Sequence, residues 1–149
     1  MSITTDRPAP TTGRTVALDP VGHGLVDPAG GSRDLDAMLD EAREAERSGA
    51  DTVVVPTAEA GAPRARHWPT TAQALAVLLA TTRVEVAVPI RARAWDVEAV
   101  ARFATSATGL AGDRLVIHVL GVGAETFARA LRARWSGRVV VGGPLPSAA

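Results

Sequence analysis

The stretch RVEVAVPIRARAWDVEAVARFATSATGLAGDRLVIHVLGVG, residues 83–123, decides the fold. It opens on a Val-rich run from Arg83 to Val88, which Pro89 stops. A polar turn leads to Asp96, a side chain suited to capping a helix N-terminus. Val97, Val100, Ala101 and Ala104 then recur at helical spacing and give one inward face, with Gly109 or Gly112 to end it. A second apolar run, Arg114 to Leu120, follows, and Gly121-Val122-Gly123 turns the chain again. The unit is strand–helix–strand. Its strands are almost unbroken in apolarity, the mark of burial on both faces in a parallel sheet.

The same unit repeats in both directions. Upstream, Thr15–Leu18 reads as a strand and residues 34–48 as a helix. In that helix Leu35, Met38, Leu39 and Ala42 form one stripe, acids crowd the first turn, and Gly49 stops it. Asp51–Val55 is the second strand, ended by Pro56. Pro69 suits the first turn of the next helix, whose expected buried face is Ala72, Leu75, Ala76 and Leu79. Downstream, Phe127, Ala130, Leu131 and Trp135 mark a fourth helix capped by Gly137, and Arg138–Val141 a fifth strand. The expected class is α/β, with about five parallel strands and four helices joined by right-handed crossovers. Residues 1–14, rich in Thr and Pro, read as a flexible leader, and 15–149 as a single domain. The pattern fits an open doubly wound sheet or part of a (β/α)8 barrel. A whole barrel takes at least ~200 residues. Sequential strand order means a barrel segment; a reversal means a doubly wound sheet.

Composition narrows the chemistry. Sixteen cationic residues balance sixteen anionic ones in a chain of 149, so bulk charge does not hold it to nucleic acid or an anionic membrane. All the cations are Arg, and Lys, Cys, Tyr and Asn are absent. That removes a disulfide scaffold, a thiolate metal site, a Cys nucleophile, a Schiff-base Lys and a phenol acid. The three His are widely separated and no His/Asp/Glu set has metal-ligand spacing, so no metal is expected. No apolar run reaches the ~18 residues of a membrane span. The leader lacks a signal-peptide core, so the expected location is the cytoplasm.

Several blocks together resemble the luciferase-like flavin monooxygenases. Ala101-Arg102-Phe103-Ala104 through Leu110-Ala111-Gly112-Asp113-Arg114 is similar to that superfamily's A-R-x-x-A-T-L-D-x-L-S-x-G-R block before strand 4. Ala42 to Asp51 resembles A-x-x-A-E-x-x-G-x-D, and Leu79 to Val84 resembles A-x-x-T-x-R-I. Val54-Val55-Pro56-Thr57 is similar to the strand-2 end of the alkanesulfonate monooxygenase branch. The resemblance covers about residues 15–123. Thr108, Ala111 and Asp113 replace the usual Asp, Ser and Gly of the first block, and the Cys that the alkanesulfonate branch often carries after strand 2 is missing.

The resemblance implies the N-terminal half of a (β/α)8 barrel. It also implies monooxygenation of a small organic substrate, such as a sulfonate, with O2 and with reduced FMN supplied by a separate flavin reductase. Some relatives use the deazaflavin F420, and these residues do not separate the two. A half-barrel leaves strands 1 and 5 as edges and apolar surface uncovered. The expected partners are therefore further copies of the chain or a complementary half-barrel chain. Competing readings are a non-catalytic degenerate or partner subunit of that family, which the replacements at Thr108, Ala111 and Asp113 favour, and an unrelated small doubly wound ligand-binding domain.

Barrel chemistry sits at the C-terminal strand ends. His23 lies in a P-x-H-G-like patch after strand 1, where the resemblance implies a donor to substrate or flavin. Thr57 after strand 2 would meet a flavin edge. Arg91 after strand 3 matches an Arg of the alkanesulfonate branch and would face the flavin phosphate, with Arg93 beside it. His118 shares a face with Val116 and Leu120 inside strand 4, as a satisfied core residue or a pocket-lining catalytic one. Gly121 opens a G-x-G turn at a helix N-terminus that tolerates phosphate. Thr126 stands where a dinucleotide fingerprint needs its third Gly, so a Rossmann site is not expected. Glu59 and the cluster Arg64, Arg66 and His67 read as solvated loop residues.

Overall fold

The structure, a computed structural model, describes residues 13–18, 30–56 and 69–143, with the side chains of 30–34 outside the description. Five strands form one sheet: β1 (Thr15–Ala17), β2 (Thr52–Val54), β3 (Glu85–Arg91), β4 (Leu115–Leu120) and β5 (Arg138–Val141). Four helices join them: α1 (Gly30–Arg47), α2 (Thr70–Ala80), α3 (Val97–Ala111) and α4 (Ala124–Arg132). Every neighbouring pair of strands is parallel, and the order is β1-β2-β3-β4-β5. This unreversed order has no switch point, so the doubly wound alternative falls. Right-handed crossovers that all step the same way place all their helices on one face. The helices do form one layer, each packed on the next. The fold is an arc of a (β/α)8 barrel.

Strand alternation divides the side chains. Val53, Val55, Val86, Val88, Ile90, Leu115, Ile117 and Val119 point outward and form the main core with α1–α4. On the concave side Val54, Ala87 and Val116 form a second cluster with Ala17 and Val140. These three are only 3%, 7% and 6% exposed. At the centre of the inner face small side chains thus pack on one another.

Local expectations hold where a polar residue marks the boundary. Asp96 accepts from the Ala99 N–H at 3.0 Å, and Gly112 ends α3. Three others are corrected. The α1 helix starts at Gly30, and its first turn holds no acid; that turn also lacks apolar residues, so periodicity could not register it. The β3 strand runs through Pro89 to Arg91. Pro89 lies past the last β2–β3 pair, Val54 with Ala87, and its backbone edge turns toward β2, so no ladder bond is lost. The buried residues of α2 are Thr70, Gln73, Ala74, Val77 and Leu78, whereas Leu79 is 61% exposed.

The N-terminal ends of the strands are tied by two side chains. Glu46 of α1 accepts from the backbone N–H of Arg83 at 2.7 Å, Val84 at 2.9 Å and Thr82 at 3.1 Å, and from the Thr82 hydroxyl at 3.2 Å. Partial burial of this carboxylate pushes its pKa up. The donors from Val84, Arg83 and Thr82 outweigh that and hold it at about 2, against an ordinary 4.5. Arg114 donates to the carbonyls of Leu78 at 2.7 Å and of Thr81 and Val84 at 3.0 Å, closing the C-terminus of α2 onto β3.

Glu46→Gln should therefore lower stability at neutral pH by about 1–3 kcal/mol in urea unfolding. A depressed folded-state pKa gives stability that is complete above 4.5 and lost as pH falls toward about 2. The gap between wild type and variant should close across that window; equal urea midpoints at pH 7 would contradict this account.

Candidate functional site

The concave face carries a groove of about 330 Å³ that touches all five strands. Its lower end is polar. Thr15, Thr52 and Glu85 stand side by side in register on β1, β2 and β3. Arg138, from the start of β5, donates to the Glu85 carboxylate at 2.9 Å across β4. The floor is Ala87, Val116 and Val140. At the upper end the His118 side chain lies against the chain leaving β5, with Nε2 2.6 Å from the Gly142 carbonyl oxygen. A carbonyl oxygen only accepts, so Nε2 carries the proton. His118 is 6% exposed.

Above this level, Arg91 pairs in register with Leu120 and falls by alternation on the concave side of β3. Its side chain and that of Arg93 are exposed. Gly121 and Gly123 take φ of 85° and 84°, a region open to glycine, and so turn β4 into α4 within three residues. Gly123 caps α4 with no side-chain hydrogen bond, and the Ala124 N–H is taken by the Gly121 carbonyl at 3.2 Å.

The structure thus brings His118 into the groove and sets Arg91 and Gly121 at its C-terminal rim. His23 and Thr57 lie outside the described residues, as do Glu59, Arg64, Arg66 and His67. Sequence reasoning missed the Glu85–Arg138 pair and the two threonines. Their signal was available: Glu85 interrupts a Val-rich run on the face opposite the helices, and Arg138 starts β5. A second hollow, about 290 Å³, shares Glu85, Val116 and Arg138 with the lower end of the groove and continues to the N-terminal end beside Asp113, Arg114 and Ser136. There the Arg114 guanidinium is consumed by carbonyls, which fits the stabilising end of a barrel rather than a site. Among the described residues no group of three or more His, Asp or Glu could hold a metal ion. No described helix is long and apolar enough to cross a membrane.

No family model matches the chain, and no curated protein matches it in sequence. Solved structures do resemble it. EDTA monooxygenase (EmoA) from Chelativorans sp. BNC1 superposes with a TM-score of 0.58 at 16% identity, covering 86% of this chain and 33% of that one. MsnO8 in its apo form superposes with a TM-score of 0.52 at 20% identity, covering 81% of this chain and 37% of that one. The chain spans about a third of the length of these structures.

Proposed function

We propose that the chain is the β1–β5 part of a luciferase-like, flavin-dependent monooxygenase site, with the flavin ring lying along the concave groove. The observation that carries this reading is the juxtaposition, on the concave side of a barrel arc, of an apolar floor and a buried hydrogen-bonding imidazole, with Arg91 above them at the C-terminal end of β3. The motif resemblance and the likeness to a solved monooxygenase point the same way. The groove's residues fit such a group: Ala87, Val116 and Val140 offer a flat apolar surface, and polar atoms stand only at its ends. Arg91 would pair with the phosphate, and Gly121 would let backbone approach it. Thr57 would meet the ring edge, and His23 the substrate.

When bound, reduced FMN supplies the electrons that activate O2 for insertion into a small organic substrate, a sulfonate by the resemblance to the alkanesulfonate branch. A flavin reductase would renew it, and F420 is the alternative cofactor. This chain's contribution is to orient the ring, exclude water from it and place hydrogen-bond partners at its edges. The departures at Thr108, Ala111 and Asp113 do not favour a degenerate, non-catalytic reading. They sit at the end of α3 and before β4, on the stabilising end, and Thr108 is engaged there with the Ala104 carbonyl at 2.8 Å.

Anaerobic titration with reduced FMN should show saturable binding. Arg91→Ala should weaken it about tenfold, the loss of one charge-assisted hydrogen bond. No binding by wild type at high micromolar flavin would sink the proposal. Since β1 and β5 each have a single neighbour in the sheet, we also expect pairing through these edges, with another copy or a complementary half-barrel chain. Light scattering after size exclusion should then give a mass above that of one chain; a monomer at every dilution, unchanged by a chain carrying the complementary strands, would refute this.

A further inference from the structure

We propose that His118 serves this site as a hydrogen-bond acceptor for a ring N–H of the bound flavin, and not as a general acid. The inference rests on the flavin reading above and deepens it. Three observations combine. The Gly142 carbonyl fixes the proton on Nε2, at 2.6 Å. In the tautomer with Nε2 protonated the lone pair lies on Nδ1, which is not a sealed, unpartnered atom and stands open at the groove wall. The ring is nine-tenths buried in the wall of a groove whose floor beside it, Val116 and Val140, has no side-chain donor.

An acceptor held in one orientation at the groove wall favours ligands that bring an N–H to it. The charged groups lining the groove, Glu85 and Arg138, engage each other at its other end. The flavin ring system is the ligand class that fits: planar, apolar on its faces, and edged by N–H. The clamp acts through the backbone leaving β5, so the acceptor's aim depends on Gly142 staying in place after the last strand. Its φ of 68° is one that glycine adopts without strain.

The experiment has two arms. In the first, ¹⁵N spectra of the imidazoles are recorded on the full chain at pH 7.5, with the His118 signals assigned by their loss in His118→Asn. The expected result is a protonated Nε2 and a bare Nδ1, with the Nδ1 signal moving when reduced FMN is added anaerobically. In the second, reduced FMN affinity is compared among wild type, His118→Asn and His118→Leu, each first shown to fold by thermal unfolding. His118→Leu should weaken binding about tenfold or more, and His118→Asn, whose Oδ1 stands where Nδ1 stood and still accepts although its amide falls short of Gly142, should stay within about threefold. A proton on Nδ1, or equal binding by wild type and His118→Leu, overturns the acceptor assignment and leaves the flavin reading standing. No flavin binding by wild type overturns both, and the ring spectrum then tells whether the tautomer was also wrong.

Discussion

Each crossover in this chain must turn right-handed, and each strand is added on the same side of the one before it. These two conditions force all four helices onto one face. The convex side therefore receives the large, continuous core, while the concave side keeps only the side chains the strands themselves supply. A Val-rich strand serves both sides, because alternate residues face opposite ways. Val86, Val88 and Ile90 join the helices; Ala87 faces inward and stays small. The groove is a consequence of that division. It exists because the sheet curls with all four described helices on its convex face, and its floor is smooth because the inward positions carry Ala and Val.

Stability and chemistry occupy opposite ends of this arc. At the N-terminal end, Glu46 gathers the N–H groups of three successive residues, and Arg114 collects the last carbonyls of α2. Both are fold devices. They are also the Glu and the Arg of the motifs through which the sequence resembles the flavin monooxygenases. The resemblance is thus strongest where it reports on the architecture, and the substitutions Thr108, Ala111 and Asp113 fall in the same region. Erosion there weakens a staple without touching the groove. This is why the motifs were a better guide to fold than to activity.

The sequence disclosed the strands and their number because continuous β-branched runs bounded by Gly and Pro admit few other readings. It disclosed the α3 boundary because Asp96 and Gly112 are both polar or conformational markers of a helix end. It misled on α2, which contains no charged residue at all: apart from Gln73, a polar side chain that is itself buried, Thr70 to Ala80 is apolar or small on every side, so nothing in it distinguishes the face turned to the sheet from the one carrying Leu79. It misled at Pro89, since the cost of a proline depends on which neighbour its missing N–H would have faced, a tertiary fact. The site was half legible. The tightness of the His118 position follows from a strand residue lying level with the backbone that leaves β5. No spacing within one segment shows that, nor that Glu85 and Arg138, each marked singly as a charge at a strand start but fifty-three residues apart in the chain, meet across β4.

The register ties these pieces together. The row through Ala17, Val54, Ala87 and Val116 reaches β5 at Arg138. It meets the third residue of β1, β2 and β3, the second of β4 and the first of β5. The strands are therefore staggered, as the tilt of a barrel requires. Because of that stagger, Arg138 stands level with Val116 and one diagonal step from Glu85, so the ion pair closes the lower end of the groove. By the same stagger, β5 runs on past the level of Val140, its partner in the pair His118 with Val140, and brings the Gly142 carbonyl over the imidazole. One geometric property of the sheet thus sets the charged end, the apolar floor and the buried imidazole along a single oblique line. That line rises toward Arg91 and Gly121, at the strand ends where a barrel holds its ligands.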